Sequence, residues 1–87
     1  MKYEGFQKGN KDAIFKYSYI DYRMDAEYRV NFHFVLNDDG IKIDYIIIQC
    51  YDIYDGSLLD SEKLGVSGMA RSLLPYLEDA ERRVANA

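Results

Sequence analysis

Three segments of the chain alternate large apolar residues with polar ones, which is the two-residue period of a half-buried β-strand. The pattern predicts strands from Ala13 to Tyr22, from Tyr28 to Leu36 and from Ile41 to Ile53. The third segment is apolar on both sides, which is typical of a central strand covered on both faces. A second Asp-Gly pair, Asp55-Gly56, predicts a short fourth strand around Ser57 to Leu59.

The turns between these segments predict which residues share a face. If Asp25 and Ala26 form a two-residue connection, Tyr19 lies opposite Phe32 and the large residues of both strands point the same way. The next turn leaves two registers open, with Phe34 opposite either Ile43 or Tyr45. Both registers predict one apolar face made of Phe15, Tyr17, Tyr19, Val30, Phe32, Phe34, Leu36, Ile41, Ile43, Tyr45 and Ile47.

After Gly65 the apolar spacing changes to three or four residues, which indicates an amphipathic helix. The apolar positions run from Val66 to Val84, and Ser67 is a suitable N-cap residue. Pro75 falls in the middle of this pattern, where it either kinks the helix or divides it into two. The apolar stripe continues beyond Pro75, so a kink is favoured.

These elements predict an α+β fold: an antiparallel β-meander of three to four strands with one C-terminal amphipathic helix, kinked near Pro75, on one sheet face. The 87 residues, 48% of them hydrophobic, are enough for one domain, residues 1–87, and too few for two cores. A core of this size leaves a thin stability margin, which a dimer interface would supplement.

The other face of the predicted sheet has an apolar centre and a charged rim, as interface patches do. We expect it either to form a homodimer or to be covered by the segment around Tyr3 and Phe6 or by the loop after Gly56. The predicted dimer face consists of Val35, Ile46, Ile48 and Cys50.

The net charge of −4 is concentrated in the middle third of the chain. Residues 34–66 carry two lysines against seven carboxylates, which predicts repulsion from phosphate backbones and attraction to a basic protein. Tyrosine is common at interaction hot spots, and Tyr22, Tyr51, Tyr54 and Tyr76 are the candidates for the surface. The predicted partner-binding residues are Asp38, Asp39, Asp44, Asp52, Tyr54, Asp55, Asp60 and Glu62.

No residue pattern indicates a reaction or a cofactor, so the chain is not expected to be an enzyme. His33 lies opposite Asp44 in the register that pairs Phe34 with Ile43, but such a pair on a sheet is more often a structural contact than a catalytic base. A calcium loop centred on Gly56 fails because only Asp55 and Glu62 occupy ligand positions. One histidine and one cysteine cannot complete a zinc site.

The single cysteine, Cys50, lies in an apolar run and predicts a buried thiol in a reducing, cytoplasmic setting. No apolar stretch reaches the roughly 18 residues that span a bilayer, and the first residues lack a signal-peptide segment. We therefore expect no association with a membrane.

Three functions follow as hypotheses. The first is a non-enzymatic module that binds a basic protein; in short length, acidity and lack of a catalytic motif it resembles phage-encoded inhibitors, anti-CRISPR proteins among them, as a class and not by any motif. The second is a small-ligand binder or minor enzyme with a pocket lined by Tyr17, Tyr19, Tyr45 and Met69. The third is a nucleic-acid binder that uses Lys2, Lys8, Lys11, Lys16, Arg23 and Arg29.

Overall fold

The computed structural model describes residues 1–86, which form one antiparallel sheet and a C-terminal helix. The sheet order follows the chain from β1 to β5, so the predicted meander is confirmed, with five strands in place of three to four. The elements are β1 (Lys2–Lys8), β2 (Asp12–Asp21), β3 (Ala26–Asn37), β4 (Gly40–Asp52), β5 (Leu58–Leu64) and α1 (Leu74–Ala85), with short 3-10 turns at Val66–Gly68 and Arg71–Leu73.

The first strand was not predicted because its alternation is broken. A bulge between Tyr3 and Gly5 inserts one extra residue, so that Tyr3 and Phe6 face the same side although they are three positions apart. Both rings lie against β2, where Tyr3 pairs with Tyr17 and Phe6 with Phe15. Gly5 has a positive φ of 118°, a conformation that glycine tolerates at a bulge.

The predicted register between β2 and β3 was wrong, although its face assignment was right. The turn is Tyr22–Asp25 and not Asp25-Ala26, so Phe15 lies opposite Phe32 and Tyr19 opposite Tyr28. The observed partner of Phe32 is Phe15 in place of Tyr19, an even number of positions away, so every side chain keeps its expected face.

The turn between β3 and β4 follows the first of the two predicted registers, with Phe34 opposite Ile43. A bulge at Asp44 then shifts the pairing, so that Tyr45 lies opposite His33 and Ile46 opposite Phe32. This one-residue shift exchanges the two faces of β4. The prediction that Tyr45 and Ile47 belong to the core was therefore wrong.

The faces of the sheet differ in what covers them. Leu77, Ala80 and Val84 of α1 pack on one face, which we call the helix side. The sheet residues of the buried core cluster, all on the helix side, are Ala13, Phe15, Tyr17, Val30, Phe32, Phe34 and Ile46. The opposite face, which we call the outer face, carries Ile14, Lys16, Arg29, Asn31, His33, Tyr45, Ile47 and Lys63.

The helix begins later than predicted and is not kinked at Pro75. Pro75 is the second residue of α1, where its missing N–H has no helical acceptor to lose. Ser67 does not cap this helix, because it lies in the first 3-10 turn. Within residues 1–86 no helix is long and apolar enough to cross a membrane.

Candidate protein-binding surface

Two turns contact each other at one end of the sheet. The backbone N–H of Ile53 donates to the carbonyl of Asp25 at 3.1 Å, and the Tyr54 hydroxyl donates to Asp25 Oδ1 at 3.2 Å. These bonds join the β2–β3 turn to the β4–β5 turn. We call the joined turns, residues 21–25 and 52–57, the acidic end.

Aspartates of the acidic end hold its backbone as well as supplying charge. Asp21 Oδ1 accepts from the Arg23 N–H at 3.0 Å, and Asp52 Oδ1 accepts from the Tyr54 N–H at 2.8 Å. Asp55 Oδ1 accepts from the Ser57 N–H at 2.8 Å, and hydrogen bonds from the side chain and the backbone of Ser57 lower the pKa of the Asp55 carboxyl. Counting Asp25, the two joined turns contain four carboxylates and one cation, Arg23.

Large apolar side chains stand among these carboxylates. Tyr22 is 77% exposed, Met24 66% and Tyr54 78%, the three highest exposures among the large hydrophobic side chains of residues 1–86. Surface clusters of this kind mark interaction sites more often than single exposed residues do. The acidic end therefore combines negative charge with rings and a thioether available for contact.

Strand β5 extends this surface along the edge of the sheet. It begins at Leu58, directly after the β4–β5 turn, and all its residues except Leu64 are exposed. Asp60 and Glu62 lie opposite Cys50 and Ile48, so both carboxylates project on the helix side.

The eight predicted partner-binding residues do not form one patch. Asp52, Tyr54 and Asp55 lie in the acidic end, and Asp60 and Glu62 follow on β5. Asp38 and Asp39 lie in the β3–β4 turn, at the far end of a 13-residue strand that spans about 43 Å at ~3.3 Å per residue. Asp44 lies in the bulge of β4, away from either end.

The acidic end also contains residues that were not predicted as partner contacts. Asp21, Asp25 and Met24 were missed because they lie outside residues 34–66, the acidic third of the chain from which the partner contacts were predicted. Tyr22 was proposed as a surface tyrosine, and its exposure confirms this. Tyr76 was proposed with it, but it accepts a 2.6 Å hydrogen bond from the N-terminal amine and packs on the core.

The predicted dimer face is not a single patch. Val35 is on the outer face, whereas Ile46, Ile48 and Cys50 follow the bulge and lie on the helix side. Ile46 is fully buried, and Ile48 packs against the core cluster. Cys50 is partly exposed beside Tyr28, so the expectation of a buried thiol was also wrong.

His33 does not pair with Asp44. Its ring stacks on Tyr45 at a centroid distance of 4.3 Å, and Lys63 lies 4.2 Å from the centre of the same tyrosine ring. Burial lowers the pKa of His33, although Asp12 and Asp44 oppose that effect. The histidine is thus part of an aromatic contact on the outer face.

The proposed ligand pocket does not form, because Tyr45 is on the outer face and the other three residues are on the helix side or its rim. The space between sheet and helix is filled by the buried cluster around Phe32 and Ala80. A groove of about 570 Å³ lies instead beside β1, where Tyr3, Phe6 and Phe15 face Arg82 and Arg83. No group of metal-ligating residues occurs within residues 1–86.

The six N-terminal cations are divided among different surfaces. Lys2, Lys16 and Arg29 belong to the outer face, where Lys2 pairs with Glu4 at 3.9 Å and Arg29 with Glu27 at 2.7 Å. Lys8 lies opposite Ala13 on the helix side, and Lys11 and Arg23 lie in turns at opposite ends of β2. The strands therefore do not gather these cations into one groove.

Comparison with known proteins gave no matching family model, no similar curated protein and no similar solved structure.

Proposed function

We propose that this chain is a small non-enzymatic module that binds a basic protein through the acidic end. The observation that carries the proposal is the exposure of Tyr22, Met24 and Tyr54 among four carboxylates on two joined turns. Aromatic side chains supply affinity at interfaces, and complementary charge raises the association rate.

The mode of action we propose is inhibition. Carboxylates interleaved with flat rings offer a basic cleft the same features as a nucleic acid, namely negative charge and stacking surfaces. A protein that handles nucleic acid has such a cleft, so the acidic end would compete for it, as phage-encoded inhibitors of the anti-CRISPR type do. The proposed inhibition takes place in the cytoplasm.

The test uses a variant in which Asp21, Asp25, Asp52 and Asp55 are all changed to Asn. Asparagine keeps an Oδ1 acceptor for each turn and tolerates the positive φ of 50° at Asp25, so the backbone is retained while four charges are lost. Wild type and variant are tagged, expressed in the native source and purified with their bound proteins, which mass spectrometry quantifies.

The matched control changes Asp38 and Asp39 to Asn at the far end of the sheet. The proposal predicts that wild type and control retain the same basic protein, that the four-site variant loses it, and that added nucleic acid releases it. Equal recovery of every bound protein by all three chains would contradict the proposal.

A further inference from the structure

The outer edge of β5 is an unpaired strand edge. Within residues 1–86, β5 is the last strand of the sheet, and its only strand neighbour is β4. Leu58 and Leu59 are each more than half exposed at its start, next to the acidic end. An edge of this kind presents backbone N–H and C=O groups to which another extended segment can bind.

The charges of β5 differ between its two faces. Asp60 and Glu62 project on the helix side, while Ser61 and Lys63 project on the outer face. None of the ion pairs within residues 1–86 includes Asp60 or Glu62. A strand added to this edge would meet two carboxylates on one face and one ammonium group on the other.

A second copy of the chain fits this edge poorly. In an antiparallel pairing centred on Ser61 that keeps the helix sides together, Asp60 of each copy lies opposite Glu62 of the other. Centring the pairing on Glu62 places the two Glu62 carboxylates opposite each other. Like charges directly opposite each other destabilise a strand pair, so the charges favour a different partner.

We propose that the basic partner contributes an extended segment that joins β5 as a sixth strand, with Lys or Arg at alternate positions facing Asp60 and Glu62. This inference rests on the proposed function and specifies how the partner binds. Main-chain hydrogen bonds to the edge supply affinity, and the alternating cations supply specificity. Because β5 starts where the acidic end stops, the same partner contacts both.

The experiment uses two synthetic peptides of about nine residues, a length that covers one strand. One alternates Lys with Thr, and the other has the same composition with all its lysines in one block. Their affinities for the full chain are measured by titration, and amide hydrogen exchange of the chain is recorded with each peptide. The inference predicts about tenfold tighter binding of the alternating peptide and slower exchange at alternate residues of β5.

Variants separate this inference from the proposed function. Asp60→Asn with Glu62→Gln is predicted to abolish the preference for the alternating peptide, while the control Glu78→Gln with Glu81→Gln, on the exposed side of α1, leaves it intact. If binding requires the four aspartates of the acidic end but the β5 variant binds normally and β5 gains no protection, the inference is overturned and the proposed function stands. If neither variant weakens binding of the retained protein or the peptide, both are overturned.

Discussion

The hydroxyl of Tyr17 donates a 2.6 Å hydrogen bond to Asp79 Oδ2, which joins the middle of β2 to the helix. Arg83 Nε donates to the same oxygen at 2.8 Å, and its guanidinium lies 3.6 Å from the centre of the Tyr3 ring. The contact therefore ties β1, β2 and α1 together at the rim of the core.

We expect Tyr17→Phe to lower the free energy of unfolding by about 1–2 kcal/mol, because a hydrogen bond to a charged acceptor is lost while the ring remains. Urea denaturation measures this change. The control is Tyr22→Phe, which removes a hydroxyl at the exposed acidic end and is expected to leave the free energy of unfolding unchanged. An equal loss in both variants would contradict the assigned role of Tyr17.

The same contact predicts a dependence of stability on pH. Hydrogen bonds from Tyr17 and Arg83 lower the pKa of Asp79, so its stabilisation is present above the ordinary aspartate range and is lost as the pH falls through the folded-state pKa. Asp79→Asn should therefore be less stable than wild type at neutral pH and lose less stability on acidification. Denaturation curves between neutral pH and about pH 2 test this; parallel curves would refute it.

Burial and the neighbouring Asp79 raise the pKa of Tyr17. The folded chain then holds the phenol proton more tightly than the unfolded chain, so stability is complete below the ordinary tyrosine pKa and declines as the pH rises above it. We expect Tyr17→Phe to show a shallower alkaline decline than wild type. A decline of the same slope in both proteins would exclude Tyr17 as its source.

The bulge at Asp44 predicts that two adjacent isoleucines respond differently to truncation. Ile46 is fully buried under the helix, so Ile46→Ala should cost about 2–5 kcal/mol. Ile47 is partly exposed on the outer face, and Ile47→Ala should cost clearly less. Chemical denaturation of the two variants decides between this register and an unbulged strand, which would reverse the order.

Much of the fold could be predicted because alternation and helical spacing report burial directly. The bulge in β4 was hidden, since apolar residues at positions 41, 43, 46 and 48 can mean either a strand covered on both faces or a change of face. The odd spacing between Ile43 and Ile46 indicates a change of face. The prediction that Pro75 lies in the middle of the helix was wrong for a comparable reason. The apolar stripe before Pro75 belongs to the segment of two 3-10 turns, whose Met69 and Leu73 also pack against the core.

The binding surface was harder to predict, because it depends on which turns share an end of the sheet. The acidic residues of β4 and β5 were recognised from the composition of the chain. Placing Asp52 and Asp38 in one binding surface, however, required them to be neighbours in the fold. Antiparallel strands place successive turns at opposite ends, so the turn that follows Asp52 instead contacts Asp25 of the alternate turn, through the N–H of Ile53. The predicted meander therefore already implied that the β2–β3 and β4–β5 turns share an end.

Site-specific photo-cross-linking in the native source tests the central claim most directly. A photoreactive residue replaces Tyr54 in the acidic end or, as the control, Asp38 at the far end; both sites are exposed. We predict that a basic protein is cross-linked from position 54 and not from position 38, and that the four Asp→Asn changes at positions 21, 25, 52 and 55 abolish the product. Cross-linking of the same protein from position 38 alone, or equally from both positions, would contradict the account.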